Sequence, residues 1–335
     1  MESRQQEEAS PDQKPAPHGN LKKVRPPDTP ELKEQRAARK SKAKYAQSFD
    51  IMTNPPDKTS NGKVIAYTPY FTTQFGLPHS PVKGEKWVRK DGNRTLRITA
   101  DSRYGVPYGS IPRLLIAWVA TWQVRHPSAT VIELGKNLSS FLEDELHLPR
   151  TGKYIRNVKE QLIALFTSKI SVTVEDDVPD HFGYKSAQLA DEIELWGHTD
   201  TQDALWNSYI VLTPKFREYL LANPVPIDTR AFPILSGSPL AIDYYLWFAR
   251  TMFSLKKSRL VTWAELHGQF GSAYDFTDKR GRHNFRAESK KQIETRVTVA
   301  YPTLRISFDP KGKGIVLHPS PTPVSATSKK ITLPS

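Results

Sequence analysis

Three observations predict an α+β fold built as tandem winged-helix domains, each a helix-turn-helix with a β-wing. A run of helix, strand, helix, longer basic helix and strand pair occurs twice in the same order. A shift of 127 residues carries the apolar positions of the first copy's opening helix onto those of the second. The ends of the chain are too polar to join either copy.

The first copy opens at Pro112, where Leu114, Leu115, Trp118, Val119 and Trp122 make one apolar helical face. The second opens at Pro239, and the shift lands those positions on Ala241, Ile242, Tyr245, Leu246 and Ala249. Each helix has a proline near its first turn, where a missing N–H costs nothing. A β-prone piece follows in each copy, Thr130 to Ile132 and Arg259 to Val261. Short helices are then expected over Gly135 to Leu146 and Thr262 to Phe270, the second with Thr262 as N-cap and Glu265 at the capping-box position. The longer basic helices are Tyr154 to Ser168 and Lys279 to Val297. Strands come last: Ile170 to Val174 in the first copy, and Leu304 to Phe308 with Ile315 to Leu317 in the second. A generic α+β domain with chance periodicity is the alternative.

The expected organisation is a disordered basic arm over 1–62, an extended β-prone lead-in over 63–101, winged helices over 102–235 and 236–320, and a short C-terminal tail over 321–335. From Met1 to about Asp57 no apolar pattern exists to contribute to a core. Glu31 to Tyr45 carries six cations among alanines, a composition that can turn helical when phosphates neutralise it, or serve only as a solubilising tail. In the lead-in, Val64 to Tyr67 and Thr95 to Ile98 are β-prone but have no evident place in the fold.

A net charge of +13 and a pI near 9.6 draw polyanions, nucleic acid or an anionic membrane. The most apolar stretch, Leu114 to Val124, is about half of the ~20 residues that span a bilayer, and Met1 to Asn20 lacks the apolar core of a signal peptide. No membrane association and a cytoplasmic location are therefore expected. The chain has no cysteine, which excludes disulfides, thiolate zinc sites and cysteine nucleophiles. It also has no H-x-H pair, no H-E-x-x-H and no G-x-x-x-x-G-K-[ST] phosphate loop. The expectation is a DNA-binding protein that is not an enzyme and needs neither cofactor nor metal. Tyr244 and Tyr245 fall on the predicted core helix, where packing is their expected role.

On the second long helix, Phe285, Ser289, Ile293 and Val297 form one stripe and Arg282, Arg286 and Lys290 another, about 100° around the axis. If the first packs inward, the second faces out, widened by Lys279, Arg280, His283 and Lys291, as a helix entering a major groove requires. An ordinary solvated face is the alternative. The first long helix has Val158, Leu162 and Phe166 inward, with Arg150, Lys153, Arg156, Asn157 and Lys159 over its N-terminal half. In the expected wing turn, Lys311 and Lys313 flank Gly312 and Gly314, so the turn can run close along a phosphate backbone or be a plain hairpin turn. Glu175 to Asp203 holds nine acidic residues and one lysine, and is expected to face away from DNA.

Several separated blocks resemble the plasmid-encoded RepA replication initiators. They are YGVPYGSIPRLLIAWVATW from Tyr104, ELGKNLSSFL from Glu133, LWNSYIVLTPKF from Leu205, NPVPIDTRA from Asn223, SPLAIDYYLWFA from Ser238, VTWAELHGQFG from Val261, VAYP from Val299 and GIVLHPSPTPV from Gly314. The resemblance covers about Ser102 to Val324. It implies binding to repeated double-stranded DNA sequences at a plasmid origin, recruitment of host replication proteins such as the host initiator and helicase, and tandem winged helices. Family members are richer in Gly and Arg than this chain over Thr151 to Leu162, which shifts the expected base reading towards the second copy. A winged-helix transcriptional repressor is a second reading, and a non-specific packaging or single-strand-binding protein a third. The balance between monomer and homodimer is open at this stage.

Overall fold

Two helices that are apolar almost all round, Ser110–Arg125 and Pro239–Ser254, run through the core, as such helices must. They are the two that the repeated pattern predicts. The computed structural model describes residues 52–53, 64–135, 138–146, 148–175, 182–195, 208–271 and 273–324. Most of the expected arm, and residues 325–335 of the expected tail, lie outside these. Met52 is an exception to the expectation that the arm adds nothing to the core: it is buried in the main hydrophobic cluster.

The lead-in over 63–101 supplies three strands. β1 (Ile65–Pro69) comes first, followed by the hairpin of β2 (Lys86–Asp91) and β3 (Arg94–Thr99). α1 (Ser110–Arg125) begins two residues before Pro112, behind Gly109, whose φ of 82° favours glycine. β4 (Val131–Glu133) leads to α2 (Leu138–Ser140), which runs on as a π-helical turn over Phe141–Glu145. α3 (Gly152–Phe166) is followed by β5 (Lys169–Glu175), β6 (Phe182–Gln188), β7 (Ala190–Glu194) and β8 (Tyr209–Leu212). Then come α4 (Pro214–Ala222), β9 (Pro224–Asp228), α5 (Phe232–Leu235) and α6 (Pro239–Ser254). β10 (Arg259–Thr262) precedes α7 (Trp263–Phe270) and α8 (Lys279–Gln292), which continues through a π-turn at Ile293–Val297 into α9 (Thr298–Ala300). β11 (Arg305–Phe308) and β12 (Gly314–His318) complete the described elements. The protein is thus α+β, and no described helix is long and apolar enough to cross a membrane.

Element order repeats between the copies, but strand pairing does not. In the second, β10 pairs with β12 and β12 with β11, so the strand before α7 joins the hairpin after α8. In the first, β4 pairs with β8, while the β5–β6 hairpin takes β3 as neighbour and builds the sheet β2-β3-β5-β6. The crossover lies at Leu189, which is fully buried between β6 and β7, and a register shift at Ala190/Glu192 follows it. An irregularity of this kind bends a strand and passes the chain from one sheet to the next. β1 pairs with β9 in a separate ribbon.

One ion pair joins the two central helices. Arg113 of α1 donates from Nε to Asp243 Oδ1 at 2.6 Å and from Nη2 to Oδ2 at 2.7 Å, and both side chains are 1% exposed. Its remaining N–H groups donate to the carbonyls of Leu77 (2.6 Å), Gly109 (2.6 Å) and, more weakly, Pro78 (3.3 Å). His79 Nε2 lies 2.9 Å from Asp243 Oδ2. Burial alone would push the Asp243 carboxyl up, but the Arg113 charge and the His79 and Arg113 hydrogen bonds outweigh it and hold the group below its ordinary value. Burial also holds the His79 imidazole below its ordinary 6.5, against the pull of Asp243, so the neutral ring donates through Nε2. Gly76 is required here, because a Cβ would sit 2.4 Å from Asp243 Oδ2.

Removing one partner strands the other charge. Arg113→Met is expected to cost about 3–5 kcal/mol in urea denaturation, and Arg113→Met/Asp243→Leu to cost less than the sum of its single changes. Because the folded protein holds His79 below its unfolded value, the unfolded chain takes up that proton first. Stability should therefore fall as pH drops below about 6.5, with the Asp243 contribution lost only below about 4. His79→Asn should flatten the first decline, and an unchanged slope would contradict the assignment.

Candidate nucleic-acid interface

Among the described residues, α8 carries the densest run of cations, and its entry is fixed by backbone contacts. Asp278 caps it by accepting from Gly281 N at 2.6 Å. Gly281 packs so closely on the preceding loop that a Cβ would lie 1.6 Å from the Asp275 carbonyl oxygen. Asp275 in turn accepts from Thr277 N and Oγ1, at 2.9 and 2.6 Å. On α7, the expected capping box at Thr262 and Glu265 is formed. His267 stacks on Phe276 at 4.3 Å, and its Nε2 lies 2.8 Å from the Tyr274 carbonyl. These contacts tie the described residues of the turn to both helices.

The inward stripe packs as its spacing predicts, with Phe285, Ser289, Ile293 and Val297 all fully buried. Tyr244 of α6 donates to Ser289 Oγ at 2.8 Å and Tyr245 binds the backbone of Asp228, so both tyrosines are core residues. Lys279, Arg280, His283, Arg286, Lys290 and Lys291 are exposed on α8. Lys290 Nζ sits 5.1 Å above the Phe308 ring of β11, and Lys291 lies 3.9 Å from Glu288. Arg282 departs from the expected outward stripe. It is half-buried, and Nη1 donates to the carbonyls of Phe276 (3.0 Å) and Thr277 (2.7 Å), so this guanidinium fastens the turn. Arg286 is thus the central exposed cation of the ridge.

At the tip between β11 and β12, Lys311 and Lys313 are exposed. The two glycines beside them have different causes. Gly312 adopts φ of 69° and donates to the Asp309 carbonyl, as a tight turn requires. Gly314 is buried against β10, where a Cβ would meet the Val261 carbonyl oxygen at 1.9 Å. The close approach it permits is to the protein's own strand.

In the first copy, Thr151 caps α3 by accepting from Tyr154 N, and Val158, Leu162 and Phe166 are buried. Lys153 and Arg156 are exposed, and Asn157 and Lys159 are half-buried. Arg150 is paired with Glu143, so its charge is already partnered. α3 packs on α1 and α8 on α6, so each cationic helix rests on one of the two central helices. In the acidic trough, Glu175, Asp191, Glu192 and Glu194 are exposed, and 176–181 and 196–207 lie outside the described residues.

Sequence reasoning missed what holds α7 from behind. Arg89 of β2 donates to the carbonyls of Gly268 (2.7 Å) and His267, and burial brings its pKa down to about 10. Asp91 approaches Gly268 as well. A separation of 179 residues between Arg89 and Gly268 leaves no local pattern that could reveal this contact.

Domains 2 and 3 of RctB resemble this fold with a TM-score of 0.50, at 11% identity, over 77% of this chain and 97% of that one. A second crystal structure of RctB domains 2–3 gives 0.47 at 11% identity, over 73% and 94%. A comparison with curated proteins found no match. The model of the family described as plasmid encoded RepA protein matches residues 106–265, from just before α1 into the first turn of α7. Over those residues, the chain is similar to the plasmid encoded RepA protein family.

Proposed function

We propose that this protein is a plasmid replication initiator that binds repeated double-stranded DNA at the plasmid origin. The observation that carries the reading is α8: one stripe is sealed in the core, which leaves Arg286, Lys290 and their neighbours exposed beside a hairpin tipped by Lys311 and Lys313. The antiparallel order β10-β12-β11 around α7 and α8 supports a winged helix over 236–320, with α8 as the groove-reading helix and the β11–β12 turn as the wing. The family match supports the plasmid context. Element order supports a second winged helix over 102–235, which adds backbone contacts through Lys153 and Arg156 on α3. Host replication proteins are recruited to the bound origin, and binding near its own promoter would also repress it. We propose no nucleotide hydrolysis and no strand cleavage. Supercoiled origin DNA incubated with the protein, magnesium and ATP should therefore yield neither nicked circles nor released phosphate.

Arg286→Ala should weaken the cognate repeat by about 1–3 kcal/mol and relax discrimination at one base pair, if it reads a guanine. Lys290→Ala, placed to meet a phosphate, should weaken all sequences alike and lower the salt slope by about one. Titrations of cognate and scrambled duplexes across a salt series measure both. Unchanged affinity and slope in both variants would remove α8 from the interface.

Arg282→Ala tests the division of labour along the helix. It should cost about 1 kcal/mol of stability in urea denaturation, since two carbonyls lose a partly screened cationic donor. Arg286→Ala should stay within about 0.5 kcal/mol of the parent.

A further inference from the structure

The sheet β2-β3-β5-β6 has two unlike faces. One packs inward: Leu96, Ile98 and Ile170 are buried, and Arg89 reaches the end of α7. Strand alternation sends the residues between them to the other side. On that outer face Lys86, Lys90, Arg97 and Lys169 are exposed and Val88 is 51% exposed, while Ser171, opposite Arg97, is buried among them.

Register gathers these cations into one patch. Lys86 lies opposite Thr99, and Thr99 opposite Lys169, so two ammonium groups flank a threonine across three strands. Val88 lies opposite Arg97, one row along, and Lys90 opposite Thr95 in the next. Neighbouring strands are about 4.8 Å apart and alternate residues about 6.7 Å, so the cations are spread over the dimensions of a nucleic-acid backbone. On β2, β3 and β5 the one carboxylate of this face is Glu175, at the strand end, 3.6 Å from Lys90. Among the described residues, that leaves Lys86, Arg97 and Lys169 without a matching acid on the face, and Thr95 and Thr99 lie between the cations. Lysine, arginine and threonine in this mixture are the groups that contact phosphate oxygens without reading bases.

We infer that the outer face of this sheet is a second, sequence-independent contact for the phosphate backbone of duplex DNA, separate from α8 and from the β11–β12 turn. The inference rests on the DNA-binding reading above and assigns a role to the lead-in strands β2 and β3, which precede the region matched by the family. Its occupant is the duplex flanking the site that α8 reads. The contact adds affinity and salt dependence and leaves base discrimination unchanged.

The test is a full-length triple variant, Lys86→Gln/Arg97→Gln/Lys169→Gln, titrated across a salt series. The probes are a duplex limited to the footprinted repeat and one extended on both sides. On the extended duplex the salt slope should fall by about two to three, at about 0.9 for each phosphate that is no longer neutralised, with cognate and scrambled sequences weakened by the same factor. The charge-conserving variant Lys86→Arg/Arg97→Lys/Lys169→Arg should retain the parental slope. All three positions are exposed, and matching circular dichroism and melting temperature confirm that the fold is kept. An unchanged slope for the neutral variant on the extended duplex, while Arg286→Ala still weakens the cognate repeat, overturns this inference and leaves the DNA-binding reading standing. Loss of cognate discrimination in the neutral variant also overturns it, because a backbone contact carries no sequence information. Failure of the parent protein to bind duplex at all overturns the reading itself.

Discussion

A guanidinium and a carboxylate sealed between α1 and α6 set the constraint on which the rest of the structure depends. Moving two charges out of water is costly, and their attraction offsets that cost only when every remaining donor is also satisfied. Arg113 meets the condition by combining a two-pronged contact to Asp243 with the carbonyls of Leu77, Pro78 and Gly109. The segment 76–79 is therefore held against both central helices, and Gly76 cannot carry a side chain there. With the central helices tied, the buried hydrophobics form a continuous cluster from Met52 to Leu317.

On that base, each cationic helix is positioned by what it buries. α8 is held through Phe285, Ser289, Ile293 and Val297, and the Tyr244 hydroxyl on Ser289 joins it to α6 by a hydrogen bond as well as by packing. A helix fixed on one side presents the other in a defined direction, which a flexible basic tail cannot do. The chemistry of the exposed side is uneven. Arg282 is used to fasten the turn, and Arg150 on the first copy is paired with Glu143, so a count of cations overstates the charge free to meet a ligand.

The sheets show the same economy. Gly314 exists to let β12 meet β10, and Gly312 to turn the hairpin tip. The β2–β3 hairpin extends the β5–β6 pair on one side and braces α7 on the other through Arg89 and Asp91. A segment with no evident role in the chain's own pattern thus links a sheet of the first copy to a helix of the second.

The sequence by itself determined α1, α3, α6 and α8 with their buried stripes, and α7 with its cap, but not α4 or α5. The periodicity of α1, α3, α6 and α8, the proline at α6 and the Thr262–Glu265 capping box are written within a turn or two of chain, where the geometry of a helix alone relates residues. It also located the strands β1, β3, β4, β5, β10, β11 and β12 to within a few residues. Tertiary structure alone decided which strands pair: β4 with β8, β3 with β5, β1 with β9. It also turned Arg282 inward and matched Arg113 to Asp243 across 130 residues. Alternation and amphipathicity specify which face of an element is buried, but not the partner that buries it. A strand's partner and a charged side chain's direction depend on hydrogen-bond donors and acceptors brought close by distant parts of the chain, and no short stretch of sequence records them.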